Sequence, residues 1–174
     1  AGLASLVAVQ YFDGSMPIWF WIIGMLLAFA CMYATILLGA GTGKREGLYI
    51  TARAFVLAEL VASLHWQIVT FIGVRDGFTD YDWRAIALLV VTYALCFGLA
   101  WMVERGNFSQ ATPTLPTASA AIATMAIMIV TFAMSNLSFV STNTPFSGSV
   151  GQEIFYIRTL VDFCGFAILY AQQE

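Results

Sequence analysis

Five long apolar stretches, at roughly 17–40, 49–73, 84–103, 117–141 and 153–171, set the pattern of this chain. Each approaches the ~20 residues that carry a helix across the hydrocarbon of a bilayer. Polar and turn-forming residues punctuate them: GTGKREG near 41–47, VRDGFTDYD near 74–82, ERGNFSQATPTLP near 104–116 and STNTPFSGSVGQE near 141–153. The pattern predicts an all-α fold, a polytopic membrane helical bundle of five full spans making one domain over residues 1–174. Residues 1–12, AGLASLVAVQYF, are apolar and helix-compatible but too short to cross by themselves. They lack the basic flank of a signal peptide and are expected to form a partial helix, a sixth span truncated at its start. AQQE at the other end is expected to open a polar continuation.

Composition strengthens the membrane reading. The chain is 60% hydrophobic, 15% aromatic and only 10% charged, with a mean hydropathy of +0.83. A soluble domain of 174 residues cannot hide that much apolar surface. The lipid bilayer is therefore the partner that composition implies. The net charge of −3 is thinly spread, with no basic run for nucleic acid. Cys31, Cys96 and Cys164 lie one to a span without paired spacing, and read as small hydrophobes rather than as disulfide or metal ligands.

Loop charge gives an orientation. Lys44, Arg45 and Arg105 fall in connections on one side, Arg75 and Arg84 on the other, beside Asp76, Asp80 and Asp82. With 141–152 free of Lys and Arg, the positive-inside rule places 41–47, 104–116 and the C-terminus in the cytoplasm and 141–152 outside.

Against this apolar background, charge and amide groups inside spans stand out, because their cost in a bilayer makes function the default reading. Arg158 and Asp162 are four residues apart in the last stretch, so on a helix they share a face, pair, and point into a bundle. In ARAFVLAELVASLHWQIV, Glu59, Ser63, Trp66 and Gln67 fall at i, i+4, i+7 and i+8 and form one polar stripe, while His65 is turned roughly 120° away. Near the end of the fourth stretch, Asn136 and Ser138 add an amide and a hydroxyl. Each also has a plainer reading, since polar side chains serve as ordinary interhelical glue. For Glu59 that is a hydrogen-bonded carboxyl inside the bundle, and the sharper one is a pairing with Arg158 or a ligand. A lone His65 makes neither a metal site nor a triad.

Enzymatic patterns do not fit. GAGTGK at 39–44 lacks the first Gly of a phosphate loop, where Leu38 stands, and Arg45 replaces its Ser or Thr. No HExxH, GxSxG or paired-Cys motif occurs, and no metal or cofactor is called for. The sequons at Asn107 and Asn136 are expected on the cytoplasmic side and in or near the membrane, where neither is a credible acceptor.

AFVLAELVASLHWQ, MSNLSFVSTNTPFSG and EIFYIRTLVDFCGFAILYAQQE together resemble the N-terminal membrane region of bacterial sensor histidine kinases with GHKL-type ATPase domains. The likeness spans most of 50–174 and is strongest in the last two segments. It implies a membrane sensor and signal transmitter in a two-component system, a homodimer, and a last membrane helix leading to a phosphoacceptor helix and an ATP-binding domain. Neither of these is in the chain, and His65, inside a span, cannot replace the phosphoacceptor. The chain itself is therefore not expected to be an enzyme. The implied signal is an extracellular peptide or small amphiphile that reaches the 141–152 loop and shifts the packing of Glu59, Asn136, Arg158 and Asp162. A small-molecule transporter or substrate-capturing membrane subunit is the alternative, although no internal repeat and no mid-helix Pro supports it. A structural assembly subunit is a third.

Overall fold

The computed structural model describes Ala4 and residues 18–76, 83–108, 117–137 and 152–171. Among them are five helices: α1 (Ile18–Ala40), α2 (Lys44–Asp76), α3 (Trp83–Phe108), α4 (Ala118–Leu137) and α5 (Gln152–Ala171). They follow the five apolar stretches in order, and the fold is all-helical. The partial helix expected at 1–12 lies outside the described residues apart from Ala4.

Three segments are long and apolar enough to cross a membrane: Ile22–Ala40, Lys44–Val69 and Trp83–Met102. Ala118–Met134 and Thr159–Tyr170 are shorter apolar stretches. On α3 the ends of the apolar segment carry exposed tryptophans, Trp83 and Trp101, each beside an arginine, with Arg84 6.0 Å and Arg105 5.1 Å from the ring centre. At ~1.5 Å per residue the two rings stand about 27 Å apart along the axis, close to the ~30 Å of a hydrocarbon core. Aromatic and basic side chains concentrate at the two boundaries of a bilayer in this manner.

Helix boundaries follow local chemistry. Gly41 ends α1 with φ +62°, a left-handed conformation open to Gly at no Cβ cost. Only residues 41–43 separate α1 from α2, so Lys44 and Arg45, expected in a longer connection, sit in the first turn of α2. Polar KREG is helix-compatible once Glu46 lies near the helix N-terminus. The Tyr33 hydroxyl donates to the Lys44 carbonyl at 3.1 Å and ties the hairpin shut. Thr117 caps α4, its Oγ1 accepting from the Ala120 amide at 3.2 Å.

Helix α2 is the hub. It packs against all four other helices, and half of its apolar segment is buried against 17% for α3. The core, Met25, Ala52, Phe55, Val56, Met128 and Leu169, joins α1, α2, α4 and α5. Phe55 lies 5.6 Å from both Phe29 and Phe132, a ring chain from α1 through α2 to α4. Helices α4 and α5 meet closely at Gly165, where an added Cβ would overlap the hydroxyl and methyl of Thr131. Among the described residues α3 contributes nothing to this core, and its backbone comes close to that of α2 alone.

Candidate functional site

The polar residues singled out by the sequence have different fates. Glu59 is 6% exposed, Ser63 1% and Asp162 0%, so these three project into the bundle rather than toward lipid. Ser63 donates back to the Leu60 carbonyl at 3.1 Å, a local bond common for hydroxyls inside helices. Trp66 packs against the core, and Gln67 lines a groove described below. His65 lies off the stripe, edge-on to Tyr93 of α3 with ring centres 6.0 Å apart. Asn136 and Arg158 belong to α4 and α5, but their side chains are outside the described set, as is Ser138 altogether. The expected pairing of Arg158 with Asp162 or Glu59 falls there too. Among the described residues no group of His, Cys, Asp and Glu is arranged to hold a metal.

A second polar cluster, which the sequence did not bring forward, ties three helices together where α2 begins and α3 and α5 end. The Arg53 guanidinium, 8% exposed, is flanked on its own helix by Tyr49, donating from Nη1 to the Tyr49 hydroxyl at 3.2 Å. Its Nη2 stands 3.6 Å from Glu104 Oε1 of α3. The Tyr170 hydroxyl of α5 donates to the same carboxylate oxygen at 2.8 Å, and its ring lies over the guanidinium at 4.4 Å. One carboxylate oxygen thus receives both the charge of α2 and the hydroxyl of α5. A desolvated cation covered by an aromatic face and paired with a carboxylate has a compensated charge, which a buried Arg requires. Glu104 remains 41% exposed, so this clasp touches water or headgroups on one flank.

The signals for the clasp were present but weak. Arg53 is a charge inside the second apolar stretch, at i+4 from Tyr49, and the rule applied to Arg158 applies equally to it. Glu104 lay beyond the expected end of the third span, whereas α3 runs on to Phe108. Its partners are separated from it by long stretches of sequence that no periodicity connects.

Above the clasp a groove of about 540 Å³ opens between α2, α3 and α5. Leu57, Leu60 and Leu64 of α2 form its floor, with Cys96 and Ala100 of α3 and Phe163 of α5 among its walls. Apart from the clasp, the backbones of α3 and α5 stand apart among the described residues, and the groove opens sideways between them. Gln67 of α2 and Thr159 of α5 add an amide and a hydroxyl to the lining, away from the clasp. One end closes on the clasp: Leu57, Ala100 and Phe166 each stand four residues, one helical turn, from Arg53, Glu104 and Tyr170. Phe166 stacks on Tyr170 at 4.2 Å and 39°, so the groove wall and the clasp share an aromatic pair.

The site thus has two parts, an apolar groove open at its side and, one turn below it, a polar clasp that joins the end of α5 to α2 and α3. Comparison with protein-family models, with curated proteins and with solved structures finds no match to this chain.

Proposed function

We propose that the chain is a membrane-embedded signal-sensing and signal-transmitting domain, the sensor part of a bacterial two-component histidine kinase. The observation that carries this reading is the shared Phe166–Tyr170 pair: whatever displaces Phe166 in the groove moves Tyr170, and with it the only described hydrogen bond between α3 and α5. A signal at the slot then becomes a shift at the end of the last helix, where the resemblance of segments 50–174 puts the output.

In this reading all five helices cross the bacterial cell membrane. The turn at 41–43, the end of α3 and the end of α5 face the cytoplasm, and 141–152 faces outside. The domain works as a homodimer. Occupied and empty grooves correspond to two clasp arrangements, and a ligand shifts their balance only by its differential affinity for the two. Buried Asp162, on the helix that moves, supplies a carboxyl group whose environment changes with the shift.

The test joins this chain to a histidine-kinase catalytic region in natural register and follows autophosphorylation in membranes exposed to conditioned medium. The wild-type fusion responds. Asp162→Asn and Tyr170→Phe lock or blunt the response while expression and insertion stay unchanged. In a Cys-free background, a membrane-impermeant thiol reagent applied outside labels Gly148→Cys and spares Gly43→Cys; the reverse pattern overturns the orientation. A transporter is the second reading, favoured by the buried Glu59 and Asp162 on two of the helices that form a laterally open slot. It prevails if the fusion never responds while vesicles holding only this chain take up a solute.

A further inference from the structure

We propose that the groove between α2, α3 and α5 is the binding site for an uncharged single-chain amphiphile, its head at Gln67 and Thr159 and its tail running toward Phe166. This rests on the sensor reading for its biological meaning, but the occupancy itself is a separate claim.

The head position comes from an unsatisfied group. Thr159 Oγ1 is buried without a hydrogen-bond partner, although a hydroxyl on a helix ordinarily finds one. It lines the groove on α5, as Gln67 does on α2, so the lining includes a hydroxyl and an amide that both donate and accept. Among the described lining residues none is charged. A head that fits this pair carries hydroxyl, ester or amide groups and no net charge.

The tail follows from shape. From the level of Gln67 down to Leu57 the groove runs ten residues of α2, about 15 Å at ~1.5 Å per residue. That is room for a chain of on the order of a dozen carbons, at C–C bonds of ~1.5 Å. Its walls beyond the polar end are Leu, Ala, Cys and Phe. The volume of about 540 Å³ falls inside the ~300–1,000 Å³ usual for small-molecule sites. Entry is from the bilayer, between Leu99 and Leu160, both more than 60% exposed on the flanks of the opening.

The experiment uses the full chain in nanodiscs of phosphatidylcholine, with a monoacylglycerol carrying a diazirine in mid-chain as the probe. Photolabelled residues are mapped by mass spectrometry. Labelling is expected to concentrate on Leu57, Leu60, Ala100 and Phe163, and to be competed by unlabelled monoacylglycerol. Thr159→Val, which keeps the shape and removes the hydroxyl, should reduce labelling at least fivefold, and Thr159→Ser should restore it, with size-exclusion profiles unchanged for both. The proposal is overturned if a diazirine phosphatidylcholine labels the groove as strongly, if the probe labels the lipid-facing residues of α1 and α4 equally, or if groove residues cross-link to a second chain instead. Groove labelling combined with a mute kinase fusion would overturn the sensor reading and leave the site standing; a responsive fusion without groove labelling would do the opposite.

Discussion

Helix α5 presents two faces to the bundle, and they are built on opposite principles. Toward α4 it offers Gly165, whose missing side chain lets Thr131 approach until no Cβ would fit. Toward α3 it offers Phe163, Phe166 and Thr159, large or polar groups that leave a slot instead of a seam. The first face gains dispersion contacts through closeness, the usual basis of helix association where lipid is as apolar as the protein. The second gives up those contacts, and one polar clasp at its end is what joins α3 to α5. Close packing and an open slot are thus laid on different sides of a single helix.

Removing the clasp should do the most damage. Glu104→Ala leaves the Arg53 guanidinium buried without its carboxylate, and breaking a buried pair costs ~3–5 kcal/mol. Because Glu104 is partly exposed, the expected loss is at the low end, about 3 kcal/mol or less. Thermal unfolding in detergent should show a clear drop for Glu104→Ala and a smaller one for Glu104→Gln, which still accepts from Tyr170. Equal effects of the two would mean that Arg53 reaches water by itself.

The two faces can then be set against each other with glycine. Gly165→Ala forces a methyl into Thr131 and should destabilise by about 1–3 kcal/mol. Gly98→Ala, on α3 with nothing within 4 Å, should be neutral or stabilise by up to about 1 kcal/mol, because Gly loses more freedom in a helix than Ala does. If both substitutions move the melting temperature in the same direction, the contrast between a closed and an open side is wrong.

The smallest effect concerns the link between slot and clasp. A double-mutant cycle on Phe166→Leu and Tyr170→Leu should return a coupling of about 0.5–1.5 kcal/mol, the range of an aromatic pair. A coupling of zero would separate the groove from the latch and remove the transmission route.

What the sequence revealed and what it hid have a common physical explanation. Hydropathy is a local property, so the five apolar stretches, the turn after Ala40 and the inward cast of Glu59 and Ser63 could be read directly from residue order and helical spacing. Boundaries were less legible where polar residues continue a helix, as in KREG at the start of α2 and in ERGNF at the end of α3. The clasp and groove are tertiary. Glu104 looked like the first residue of a loop, and nothing near it in sequence announces Arg53 or Tyr170. Thr159 sat unremarked between two charged candidates until the bundle placed it in the same groove lining as Gln67.

The span of the clasp along the chain bears on how the protein is made. Arg53 is synthesised 51 residues before Glu104, and Tyr170 another 66 after that. A guanidinium delivered to a bilayer so early enters without the carboxylate that will neutralise it and without the ring that will cover it. Only Tyr49, one turn earlier on the same helix, is already at hand to accept from it. The clasp is therefore assembled in stages, the Arg53–Tyr49 contact being available with α2 alone and the contacts of Glu104 and Tyr170 added as α3 and α5 follow.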